Sequence, residues 1–142
     1  MNHILAAVDS TSRAKGVLTT AVELARVMGG KVRLFRVVGL PPELPSNLFA
    51  LTPDQRVDSS IAQAKRELAE LASEAPAELI EGMTAQIGVP WDAICAYARE
   101  HDVDLIVIGA HGAGVIDRIV GTTTTKVVNH ADRSVYVVHS AA

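Results

Sequence analysis

The chain has 142 residues, 49% of them hydrophobic and 20% charged, with a net charge of −3 at neutral pH. At roughly 100–200 residues per domain this predicts a single domain over residues 1–142, large enough for a core without disulfides or metals. The acidic balance argues against nucleic acid as a partner, and no apolar run approaches the roughly 18 residues of a membrane span. The start, Met1 to Asp9, lacks the basic region and apolar length of a secretory signal, and the lone Cys95 permits no intrachain disulfide. A cytoplasmic protein is expected.

Ile4 to Val8 reads as a buried strand, followed by the polar turn Asp9-Ser10-Thr11-Ser12, which can cap a helix. Ala14, Val17, Leu18, Ala21, Leu24, Ala25 and Met28 recur at spacings of three and four, the apolar stripe of an amphipathic helix. Gly29-Gly30 closes it, since glycine accepts the left-handed conformation of many helix ends. Lys31 to Val38 is a second strand, and the proline-rich Gly39 to Asn47 a loop. Thr52 and Gln55 form a capping-box pair around Pro53, and the stripe of Val57, Ile61, Ala64, Leu68, Leu71 and Ala75 runs up to Pro76. That seam is too short and alanine-rich for a coiled coil. Leu79 to Ile87 is a weaker strand interrupted by Gly82, and Trp91, Ile94, Cys95 and Ala98 stripe a third helix. Leu105 to Ile108 is apolar at every position, as a central parallel strand is. A helix over Thr122 to His130 and a strand over Val135 to Val138 complete the chain. Strands alternating with helices predict right-handed crossovers and a doubly wound α/β fold: five parallel strands, expected order 3-2-1-4-5, with helices on both faces.

In such sheets ligands bind beyond the carboxyl ends of the strands, where the strand order reverses. The segments at those ends are Asp9 to Ser12, Val37 to Gly39, and Gly109-Ala110-His111-Gly112 running on to Gly121-Thr122-Thr123. Glycines let backbone approach a phosphate closely, and a helix starting at Gly121 presents unpaired N–H groups and the positive end of its dipole. These residues suit a two-part phosphate cradle. They equally suit a tight strand-to-helix turn with threonines capping the helix. Neither the Walker pattern nor the dinucleotide fingerprint G-x-G-x-x-G occurs.

The glycine segment resembles the nucleotide-binding members of the universal stress protein family, which carry G-x2-G-x9-G-[ST] after the fourth strand. Gly109, Gly112, Gly121 and Thr122 match both halves, although eight residues, Ala113 to Val120, stand where the family has nine. The likeness extends over the whole chain, through Ile4 to Ser12, Val103 to Gly109, and Val127 to Val138. It implies ATP as the ligand, with Mg2+ riding on the phosphates. It also implies roles for particular residues. Ala7, Val8 and Asp9 would meet the adenosine portion, with Asp9 accepting hydrogen bonds from ribose or adenine. Val37 would wall the adenine and offer backbone groups, and Ile108 and Gly109 would floor the pocket. Gly112, Gly121, Thr122 and Thr123 would hold phosphates. From sequence alone Asp9 is equally a helix cap and Val37 equally core.

His111 has no partner carboxylate or nucleophile motif, so it reads as a ligand contact or loop hydrogen bonder rather than a catalyst. Arg118 is placed to offset phosphate charge or to sit solvated on the surface. Cys95 reads as buried packing, and the scattered histidines lack metal-ligand spacing. The final strand is an apolar sheet edge, and the family resemblance implies a homodimer paired through Val135 to Val138.

Three functions compete. The first is an ATP-binding stress-response or regulatory module without a dedicated catalytic apparatus, compatible with slow ATP hydrolysis or Ser/Thr phosphorylation. The second is a family member that binds no nucleotide, its shorter arm blocking the phosphates, and acts through dimerisation or partner binding alone. The third is a flavodoxin-like carrier using Ser10-Thr11-Ser12 as a phosphate loop, disfavoured because Trp91 and Tyr97 fall in a helix rather than in flavin-flanking loops.

Overall fold

A computed structural model describes residues 2–39, 53–110 and 121–139. The elements in chain order are β1 (His3–Ala7), α1 (Ala14–Met28), β2 (Lys31–Val38), α2 (Pro53–Ala72), β3 (Ile80–Ile87), α3 (Pro90–Glu100), β4 (Leu105–Gly109), α4 (Thr122–His130) and β5 (Ser134–Val138). All five strands are parallel, in the order β3-β2-β1-β4-β5, so the doubly wound topology read from the sequence holds. The proline-rich segment 40–47 and Thr52 lie outside the described residues.

The strand period of two splits the core into two layers. Ile4, Ala6, Val32, Leu34, Leu105 and Val107 point to one face and pack against α1 and Leu68 of α2. Leu5, Ala7, Phe35, Ile106 and Ile108 point to the other, against Ile94, Cys95, Tyr97 and Ala98 of α3 and Val127 of α4. Because β1 and β4 are buried on both faces, they read as unbroken apolar runs. Val22 and Tyr97 join the core although neither was expected there. Tyr97 does so by stacking on Phe35, with ring centroids 4.4 Å apart, while its hydroxyl lies 3.3 Å from Thr84 Oγ1. A buried tyrosine needs that polar handle.

Gly29 ends α1 with φ 70°, the left-handed geometry expected of it. The weakness of β3 has a geometric cause. Val32 pairs with Ile80 but Arg33 with Gly82, so Glu81 is an extra residue in the ladder. Glycine at 82 leaves room for Arg33, whose Nη1 would lie 2.5 Å from a Cβ there. The strand starts one residue later than expected because Ala77–Leu79 forms a 3-10 turn.

At the amino end of the sheet, Asp104 Oδ2 accepts the N–H groups of Asn2 (2.9 Å) and His3 (3.0 Å), while its own N–H donates to His3 C=O at 2.8 Å. These bonds hold β1 in register with β4, and the two backbone donors keep the Asp104 carboxyl below its usual range. A carboxyl whose pKa falls on folding adds stability at pH values above its unfolded pKa, and that stability is lost as pH drops through the folded value. Asp104→Asn should therefore lower the urea midpoint at pH 7, and the gap from the native chain should close as pH is taken below about 4. A gap of constant size down to pH 2 would contradict the assignment.

Candidate functional site

The carboxyl ends of β1, β2 and β4 surround β1, where the strand order reverses, and there the surface opens into a cleft of ≈ 400 Å³. Nine residues singled out from the sequence line it together: Ala7, Val8, Asp9, Val37, Ile108, Gly109, Gly121, Thr122 and Thr123. His111, Gly112, Arg118 and the arm 113–120 lie outside the described residues. Phe35, Arg13, Pro90 and Ile94 also line the cleft and were not foreseen, whereas Thr11 lies in the strand-end segment Asp9 to Ser12 that the sequence singled out. Phe35, Pro90 and Ile94 carry no polar signature, and only the strand order brings them here. Thr11 had a local signal, a threonine two residues after an aspartate.

One wall is set by where β1 stops. Val8 N–H donates to Phe35 C=O at 3.0 Å, and Gly88 N–H donates to Val38 C=O at 3.1 Å. Polar groups along a strand alternate sides, so Phe35 and Val37 address β1 whereas Val38 addresses β3. The chain turns away after Val8, and among the described residues no rung joins Val37 to it. The Val37 N–H and C=O are thus left as a donor and acceptor pair at the cleft, beside its apolar side chain. Strand alternation and strand order together disclose this pair; the sequence of Val37 alone suggests only core.

The Asp9 turn differs from a helix cap. Asp9 Oδ1 accepts Thr11 N–H at 2.9 Å and Thr11 Oγ1–H at 2.6 Å, closing a turn on itself. Helix α1 begins only at Ala14, with Arg13 in the N-cap position and no side-chain cap bond from it. Thr11 serves the helix start instead, its hydroxyl accepting Arg13 N–H at 3.3 Å and its carbonyl accepting Ala14 N–H at 3.1 Å. Asp9 is left facing solvent at the cleft.

The third component is the start of α4. Gly121 N–H donates to Ala110 C=O at 2.7 Å, and Thr124 Oγ1 donates to Gly109 C=O at 2.6 Å, so the helix is pinned to the end of β4. The hydroxyl of buried Thr124 thereby satisfies a carbonyl that the sheet leaves over. Thr125 N–H closes the first helical turn on Gly121 C=O at 2.9 Å. Helix geometry leaves the N–H groups of Thr122, Thr123 and Thr124 with no helical carbonyl behind them, and among the described residues no side chain caps the helix. The available donors are therefore the threonine amides. Gly121 shapes the turn, its own N–H being used within the protein.

Among the described residues Asp9 and Arg13 are the charged side chains lining the cleft, and their charges offset one another. No three His, Cys, Asp or Glu side chains gather into a metal site among those residues. Cys95 is buried, which raises its thiol pKa and keeps it protonated. Trp91 packs α3 on α4, its ring 4.6 Å from His130 and 5.6 Å from Lys126 Nζ. No helix among the described residues is long and apolar enough to cross a membrane.

Comparison with known proteins bears on the family and the fold. The model of the universal stress protein family matches residues 1–139. Universal stress protein A homolog 1 of Coxiella burnetii is 26% identical over 139 residues, covering 96% of this chain and 94% of its own. The solved universal stress protein UspA from Lactobacillus plantarum is 30% identical, with a TM-score of 0.77 over 96% of this chain and 97% of its own. The universal stress protein from Archaeoglobus fulgidus, solved in complex with dAMP, is 28% identical, with a TM-score of 0.68 over 96% of each chain. The chain belongs to the universal stress protein family.

Proposed function

We propose that the cleft binds ATP and that the protein works as a nucleotide-dependent binding module in a stress-response or regulatory role. The observation that carries this reading is the company kept in one cleft: the free N–H and C=O of Val37, the carboxylate of Asp9, and three unpaired amides at the start of α4. An adenine needs one donor and one acceptor beside an apolar wall, a ribose needs an acceptor, and phosphates need donors. The dAMP complex of the A. fulgidus relative supports an adenine nucleotide as the ligand class. The apolar floor of Ala7, Val8 and Ile108 leaves the base face without competing polar groups.

In this reading Val37 reads the adenine edge, Asp9 takes the ribose or adenine donors, and Thr122 and Thr123 hold the phosphates with the glycine-bearing segment. Gly109, Gly112 and His111 belong to the other half of the cradle. Since Asp9 and Arg13 offset one another, Mg2+ carried on the phosphates balances the triphosphate charge. The alternative, a member that binds no nucleotide, rests on the eight-residue spacing between Gly112 and Gly121. A cytoplasmic location, expected from the single cysteine, is part of the same proposal.

The homodimer is proposed through β5, which pairs on one side with β4. Ala110 N–H donates to Val138 C=O, so Val138 and Tyr136 address β4 and the polar groups of Val135 and Val137 face outward. An exposed row of that kind is a template for a second copy.

Two substitutions test these readings without breaking the fold. Thr122 is the first residue of α4, and Gly121 before it has φ −61° and ψ 160°, the extended geometry that a following proline requires. Thr122→Pro should leave the melting temperature nearly unchanged. It should weaken ATP about tenfold or more by calorimetry while sparing adenosine, because one amide bond to a charged phosphate is lost. Equal affinities for ATP before and after the change would contradict the phosphate assignment. Val137→Pro deletes an outward N–H, so the chain should stay folded but elute and scatter light as a monomer, against a dimer for the native protein. A native monomer at micromolar concentration would contradict the dimer.

A further inference from the structure

Asp9 is exposed at the cleft, and an exposed carboxylate ordinarily samples several rotamers. Here it does not have that freedom. One oxygen, Oδ1, accepts both donors of Thr11, the N–H at 2.9 Å and the hydroxyl at 2.6 Å. The single hydroxyl hydrogen of Thr11 is committed to Asp9, while a lone pair of the same oxygen accepts Arg13 N–H at 3.3 Å, which fixes the hydroxyl to the start of α1. Among the described residues no donor meets the second oxygen, Oδ2.

We propose that Thr11 is a positioning residue: it saturates Oδ1 of Asp9 and so aims Oδ2 as the acceptor for the donors of the bound nucleoside. This rests on the nucleotide reading above and adds a residue to it. The gain is one of preorganisation, because a carboxylate already held in its bound rotamer loses no freedom when the ligand arrives. Valine has the shape of threonine but no hydroxyl, so Thr11→Val frees the carboxylate at constant volume, whereas Thr11→Ser keeps the hydroxyl.

A double-mutant cycle with Asp9→Ala separates positioning from mere support of the loop. Calorimetry with adenosine and with ATP should give about a tenfold loss for Thr11→Val in the native background. In the Asp9→Ala background the same change should cost less than twofold, and Thr11→Ser should restore binding to within about threefold of native. Equal losses in both backgrounds, or a Thr11→Ser variant as weak as Thr11→Val, would overturn the positioning role while leaving nucleotide binding intact. Absence of adenosine and ATP binding by the native protein would overturn the nucleotide reading itself, and this role with it. Should Thr11→Val fail to fold, the cycle runs with Thr11→Ala and the same two criteria.

Discussion

Among the described residues, three backbone N–H groups at the start of α4 have no carbonyl to bond, and the fold places them at the open end of a parallel sheet. A helix terminus in that position must be met by water, a cap or a ligand. Here no side chain of the described residues caps it, and the two bonds that pin it, Gly121 N–H to Ala110 and Thr124 Oγ1 to Gly109, anchor the helix without using those donors. The anchoring also gives the site rigidity. Because the last turn of β4 and the first of α4 are joined by these bonds, the donors stand at a fixed place relative to the cleft floor.

The rest of the cleft follows from the lengths of neighbouring strands. β1 stops at Ala7, whereas β2 runs on to Val38. The overhang strips Val37 of a partner on the β1 side and leaves its polar groups for something else to satisfy. Strand order does the remainder: the chain fills one face with α1 and α2, crosses over, and fills the other with α3 and α4. That reversal happens at β1, so the loop carrying Asp9 and the helix start carrying Thr122 come to one crevice from opposite ends of the sequence.

Much of this was legible in the residues. The unbroken apolar run at Leu105 to Ile108 gave a central strand, and the Gly29-Gly30 pair gave the left-handed end of α1, because each signal is local and has one physical solution. The alternation of elements and the handedness of crossovers led to a doubly wound parallel sheet, for which 3-2-1-4-5 was the expected order. Other features had two local solutions. Asp9 two residues before Thr11 satisfies both a helix cap and a closed turn, and the structure holds the turn, with α1 starting only at Ala14. Tyr97 stood outside the apolar stripe read for α3, and Phe35 and Thr84, distant in sequence, supply its ring and hydroxyl partners. The free backbone pair of Val37 was invisible to any reading of side chains, since it depends on where a different strand ends. Gly121 shows the same limit: the sequence marks a helix start, but only the geometry tells that its N–H is taken and the threonine amides are the donors.

The central claim is that an anionic tail seats on the amides of α4. Amide resonances followed by two-dimensional NMR during titration with ATP and Mg2+ test it most directly. The account predicts saturable downfield shifts for Thr122 and Thr123 with ATP, and much smaller ones with adenosine. Unmoved Thr122 and Thr123 amides at millimolar ATP, whether or not residues elsewhere respond, would contradict it.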